Sequence, residues 1–119
     1  MFTERLVTAE EFNRDVERRC ELMKSVLQSK GSEYATNADR MRNFNNAGRM
    51  DNESPERALW GMLKKHLVSI RDLIDWVETN PEKINNALID EKIGDGINYL
   101  TLLESMLHRF ADEKLVAKI

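Results

Sequence analysis

The sequence predicts an all-α fold: an antiparallel bundle of three long helices with a short helix in the 37–50 segment. Three observations carry this. Five glycines and two prolines are all that interrupt 119 residues. Between them apolar residues recur at three- and four-residue intervals, and no run shows the apolar/polar alternation of a half-buried strand. At this length the chain forms one domain around one core, with the core over 9–110 and a tail over 111–119.

Each element has its own signals. Thr8 followed by Glu11 is a capping-box pattern, and Phe12, Val16, Cys20, Met23 and Leu27 continue it as one apolar stripe. A first helix is therefore expected from about Ala9 to Gln28, stopping near Gly31, with Cys20 a buried thiol. The stretch "KGSEYATNADRMRNFNNAGRMDNES" mixes turn residues with the amphipathic set Met41, Phe44 and Ala47, which predicts loop, short helix, loop. Ser54 before Pro55 starts the second long helix, because serine caps free amides and proline tolerates the first helical position. That helix runs to about Thr79, and its face of Leu59, Trp60, Leu63, His66, Leu67, Ile70, Leu73, Ile74 and Val77 is wide enough to pack against two or more helices. Asn80 and Pro81 end it. A last helix runs from the eighties to about Phe110.

Composition narrows the function. With 18 basic and 21 acidic residues interspersed, net −3, there is no basic footprint for duplex nucleic acid. No stretch reaches the ~18 apolar residues of a membrane span, and "MFTERLVTAEE" is acidic where a signal peptide is basic and then apolar. The single cysteine has no internal partner. A soluble, reduced, cytoplasmic protein is expected.

The chemistry lies in polar lines on apolar helices. At about 100° per residue, Glu91, Asp95 and Asn98 of "EKIGDGINYLTLL" fall within roughly 60° of one another. Gly94 and Gly96 lie among them, and Ile93, Ile97, Leu100, Leu103 and Leu107 run alongside. On the second long helix, Lys65, Ser69, Asp72 and Trp76 form a similar line, with Asp75 on the adjacent row. If the two helices pack antiparallel, Asp72 and Asp75 face Glu91 and Asp95. Four converging carboxylates repel one another unless a cation neutralises them, and hard oxygen ligands suit Mg²⁺ or Mn²⁺. The plainer alternative is a set of solvated faces, with Asp72 beside Arg71 or Lys65 and Glu91 beside Lys92. His66 lies within the apolar face, as a hydrogen-bonded core histidine or a ligand-binding one. Lys30, Tyr34, Asp39, Arg40 and Asn43 make the middle segment either a cationic, aromatic nucleotide-binding loop or a solvated connection.

Three blocks, "KGSEYA…ADRMRNF", "ALWGMLKKHLVSIRDLI" and "EKIGDGINYLTLLESML", resemble in their order the phage and prophage family called nucleotide-modification-associated domain 1, over about residues 30–107. More distantly the chain is similar to the all-α nucleoside triphosphate pyrophosphatases of the MazG and dimeric dUTPase type. Those bind Mg²⁺ through E-x-x-E and E-x-x-D on two antiparallel helices. The resemblance implies that Asp72 and Asp75 replace the first pair and Asp95 the last aspartate. Lys92 stands three before Asp95, where that pattern has glutamate, and Glu91 is one step earlier.

The expected function is Mg²⁺-dependent hydrolysis of a nucleoside triphosphate to monophosphate and pyrophosphate. Asp72, Asp75, Glu91 and Asp95 would hold metal, with Asp72, Glu91 or Asp95 assisting water as general base. Lys30, Arg40, Lys65 and Lys92 would meet phosphate, and Tyr34, Asp39, Asn43, His66, Asn98 and Tyr99 the nucleoside or its surroundings. The alternative is a non-catalytic protein that sequesters a signalling nucleotide in phage–host conflict, a reading that Lys92 favours. Apolar surface beyond what one helix pair can hide predicts a homodimer or higher homo-oligomer.

Overall fold

A computed structural model describes residues 3–29 and 39–117, and its regular structure is helical throughout, with no strand among the described residues. Helix α1 spans Ala9–Lys24 and widens into a π-helical turn over Ser25–Ser29. Helix α2 spans Arg42–Asp51, α3 spans Pro55–Thr79, and α4 spans Asn86–Ala117. A 3₁₀ turn at Pro81–Lys83 joins the last two.

The starts follow from capping chemistry. The Thr8 hydroxyl accepts the Glu11 amide at 3.1 Å and donates to the Glu11 carboxylate at 3.0 Å, and Ser54 Oγ accepts the Arg57 amide at 3.1 Å. Helix α2 ends with Asn52 in the left-handed region at φ 53°, and the Glu53 amide reaches back to the Gly48 carbonyl at 2.9 Å. This pairing satisfies a last-turn carbonyl and turns the chain sharply into α3. Helix α4 is longer than its sequence suggests: it continues past Phe110 to Ala117 because Ala111–Ala117 contains no glycine or proline to stop it, and Arg109 pairs with Asp112 at 3.1 Å along it.

Helices α3 and α4 are antiparallel neighbours. Trp76 meets Lys92, Ile70 meets Gly96, His66 meets Tyr99, and Leu59 and Leu63 meet Met106, so position falls along one helix as it rises along the other. The core is the small cluster of Phe44, Leu59, Leu63 and Met106, where α2 closes on the hairpin. Gly94 and Gly96 mark close approaches: a Cβ at Gly94 would stand 2.7 Å from Arg19 Nη1 of α1, and one at Gly96 would stand 3.0 Å from Ile70 Cδ1.

Helix α1 lies along α4 in the same direction. Arg18 makes a two-pronged ion pair with Asp90, Nη1 reaching Oδ1 at 2.8 Å and Nη2 reaching Oδ2, while the Thr101 hydroxyl contacts Met23 Sδ at 3.7 Å. The Arg18 hydrogen bond holds the Asp90 carboxyl below its ordinary range, against the opposing pull of desolvation. Cys20 is exposed, not buried, because α1 has its other flank open and Phe12 and Val16 of its apolar stripe are exposed with it. The wide face of α3 is likewise only partly covered: α2 and α4 bury Leu59, Leu63 and Leu73, while Trp60, Leu67, Ile74 and Val77 remain exposed.

Candidate functional site

The residues that converge do so around Tyr99. Its ring stacks on His66, with centroids 4.7 Å apart and planes at 30°, and takes Phe44 edge-on at 6.0 Å. Helix packing fixes this arrangement, since Phe44 belongs to the core and His66 lies one turn along α3 from Leu63. Burial pushes the Tyr99 phenol above its ordinary value near 10, and the neighbouring Asp95 charge adds to the shift. His66 Nδ1 lies 3.6 Å from Asp95 Oδ2, which is ion-pair range but too long for a hydrogen bond.

Beside Tyr99 opens a cavity of about 480 Å³ between the end of α1, the start of α2 and the middle of α4. Arg40, Asn43, Asp95, Asn98 and Tyr99 all line it, bringing together five of the site residues expected from sequence. Val26, Leu27, Met41, Phe44 and Leu102 supply apolar wall, and Thr101 and Ser105 extend the polar line of Asp95 and Asn98 along α4. Asn98 Oδ1 is buried and accepts no hydrogen bond among the described residues. A buried carbonyl without a partner costs about 1–3 kcal/mol, so this atom marks a place where a donor from outside would be stabilised.

The other expected residues stand elsewhere. Asp39 orders the start of α2: Oδ1 accepts the Met41 amide at 2.9 Å and Oδ2 accepts Asn45 Nδ2 at 3.1 Å. Lys65, Asp75 and Glu91 are exposed, and Asp72 is half-buried. Lys92 Nζ lies 5.2 Å from the centre of the Trp76 ring, with Lys83 Nζ at 5.0 Å from it, so Lys92 is engaged by an aromatic face on α3. Among the described residues, no three carboxylate, histidine or cysteine side chains group closely enough to hold a metal ion. Lys30 and Tyr34 lie outside the described residues.

Thr101 and Ser105 were missed by sequence reasoning although their signal was present, since they continue the three- and four-residue spacing of Asp95 and Asn98. Val26 and Leu27 gave no comparable sign, because only the tertiary docking of α1 turns them toward the cavity. No family model, no curated protein and no solved structure matches this chain. No helix among the described residues is long and apolar enough to cross a membrane.

Proposed function

We propose that this chain is a nucleotide-binding protein and that the cavity beside Tyr99 is its binding site. The observation that carries the reading is the unpartnered Asn98 Oδ1 in a cavity of about 480 Å³ whose wall also holds Asp95, Asn43 and Arg40. Mostly apolar walls with a few polar groups to fix orientation suit a small organic ligand. Arg40 supplies a guanidinium for phosphate, and Asn43, Asp95 and Asn98 supply hydrogen-bonding groups for base or sugar. The order of the three sequence blocks agrees with a phage-type, nucleotide-modification-associated protein.

Retention of the intact nucleotide is the fate this site supports best, because its wall combines one guanidinium residue with neutral amides and brings in Asp95 without the other three carboxylates. Mg²⁺-dependent hydrolysis is the second reading, favoured by the position of Asp95 on the wall, where its carboxylate is placed to assist water or a metal. Calorimetry against canonical and modified nucleoside triphosphates, with and without chelator, separates them. Binding that survives chelator, with the ligand recovered intact, is expected, and Arg40→Ala should weaken it about 10- to 100-fold. Pyrophosphate release with Mg²⁺ or Mn²⁺ would establish hydrolysis instead, and no heat with any nucleotide would remove the reading altogether.

We also propose that two copies associate. Trp60, Leu67 and Ile74 recur at seven-residue intervals along α3, as do Leu100 and Leu107 along α4, and all five are exposed. Such spacing keeps an apolar seam on one side of a helix, the arrangement by which helix pairs dock on one another. Light scattering at micromolar concentration should give at least twice the 13.9 kDa chain mass, and Leu67→Glu with Ile74→Glu should reduce it. A mass of one chain that holds on concentration would show that these stripes remain in solvent.

A further inference from the structure

Two hydrogen-bond acceptors on the cavity wall are open to donors from a ligand: the partly exposed carboxylate of Asp95 and the buried Oδ1 of Asn98. Asp95 has His66 Nδ1 3.6 Å away, and Asn98, three residues on along α4, has its Oδ1 unpartnered among the described residues. Residues three apart on a helix are neighbours on one face, so the cavity presents a carboxylate and a carbonyl oxygen side by side. A base that satisfies both must offer two adjacent N–H groups on one edge.

We infer that the cavity selects a guanine nucleotide, with the guanine N1–H and 2-amino group meeting Asp95 and the second 2-amino hydrogen meeting Asn98 Oδ1. The inference rests on the nucleotide-binding reading and adds the identity of the base. Guanine is distinguished by elementary donor and acceptor chemistry. Adenine and cytosine each present one amino group beside a ring nitrogen acceptor, which a carboxylate repels. Uracil and thymine present a single N–H between two carbonyl oxygens, which it repels twice. Hypoxanthine keeps N1–H but lacks the 2-amino group, leaving Asn98 Oδ1 without its donor. Each mismatch sets an acceptor against an acceptor or leaves Asn98 Oδ1 without a donor, and that strengthens selection beyond the gain from the matching contacts.

Calorimetric titration of the full chain with GTP, dGTP, ITP, XTP, ATP, CTP and UTP tests this. Guanine nucleotides are expected to bind about 10- to 100-fold more tightly than the adenine, cytosine and uracil nucleotides, with ITP in between. Asp95→Asn replaces a pure acceptor by an amide that also donates, so it should weaken GTP and strengthen XTP, whose 2-oxo group accepts. That reversal is a gain of binding and cannot come from a damaged fold; a thermal melt of the variant records the fold independently. Equal binding of all seven would overturn the base assignment while leaving the nucleotide site standing, as would GTP preference unchanged in Asp95→Asn. Absence of binding by every nucleotide would remove the site and this inference together.

Discussion

Leu59→Ala is expected to lower the unfolding free energy by about 2–5 kcal/mol. Leu59 is fully buried and packs with Phe44, Leu63 and Met106, so it touches all three helices that meet at the core. Removing its branched end leaves a void among these packed side chains, and the loss is a large share of the ~5–15 kcal/mol that holds a small domain together. Urea unfolding should show a lower midpoint at unchanged slope. Met50, 85% exposed on α2, is the comparison: Met50→Ala should change stability by no more than about 0.5 kcal/mol. A Leu59→Ala midpoint indistinguishable from that of Met50→Ala would refute this account of the core.

Gly48→Ala should destabilise by about 1–3 kcal/mol, against the usual direction for a helical glycine. Alanine ordinarily gains roughly 0.5–1 kcal/mol over glycine inside a helix. At Gly48 the new methyl would meet the Glu53 carbonyl oxygen at 2.7 Å and the Ser54 and Pro55 backbone at 3.2 Å, and none of these atoms is the free end of a side chain. Relief requires opening the turn that carries the chain from α2 into α3. Gly61 is the opposite case, with nothing within 4 Å of a built Cβ, so Gly61→Ala should show the ordinary gain. Thermal melts of the two variants should therefore move in opposite directions, and a stabilised Gly48→Ala would mean that the turn yields freely.

The helix starts were legible because they depend on chemistry within four residues: Thr8 with Glu11, and Ser54 with Pro55, act through their own side chains and ring. The end of α4 was not, because charged residues in Ala111–Ala117 resemble a solvated tail in composition while every one of them tolerates a helix. Cys20 was misplaced for a different reason. An apolar stripe tells which side of a helix avoids water, but only the number of neighbouring helices tells whether that side is covered. In the candidate site, helical spacing correctly put Asp95 and Asn98 on one wall, since both lie on one helix. It gave no purchase on Lys92, whose long side chain is drawn to the Trp76 ring on another helix. Nor did spacing reveal that the Asp39 carboxylate is engaged in starting α2.

The slight attachment of α1 divides the molecule into parts of unequal permanence. No residue of α1 is buried, and the helix is held to α4 by Arg18 and Arg19 around Asp90 and by Met23 against Thr101. Its amides are therefore expected to exchange hydrogen with solvent through a local opening that leaves the α2–α4 core closed, while core amides wait for global unfolding. Acid acts on the same joint. Asp90 has a depressed folded-state carboxyl pKa, so its contribution is present above the ordinary carboxyl value of 3.8 and lost as pH falls through the lowered one. Val26 and Leu27, which follow α1 directly, form part of the cavity wall. A ligand seated in the proposed site would tie the segment after α1 to α4, and occupancy of the cavity is then expected to appear in the exchange protection of a helix none of whose described residues line it.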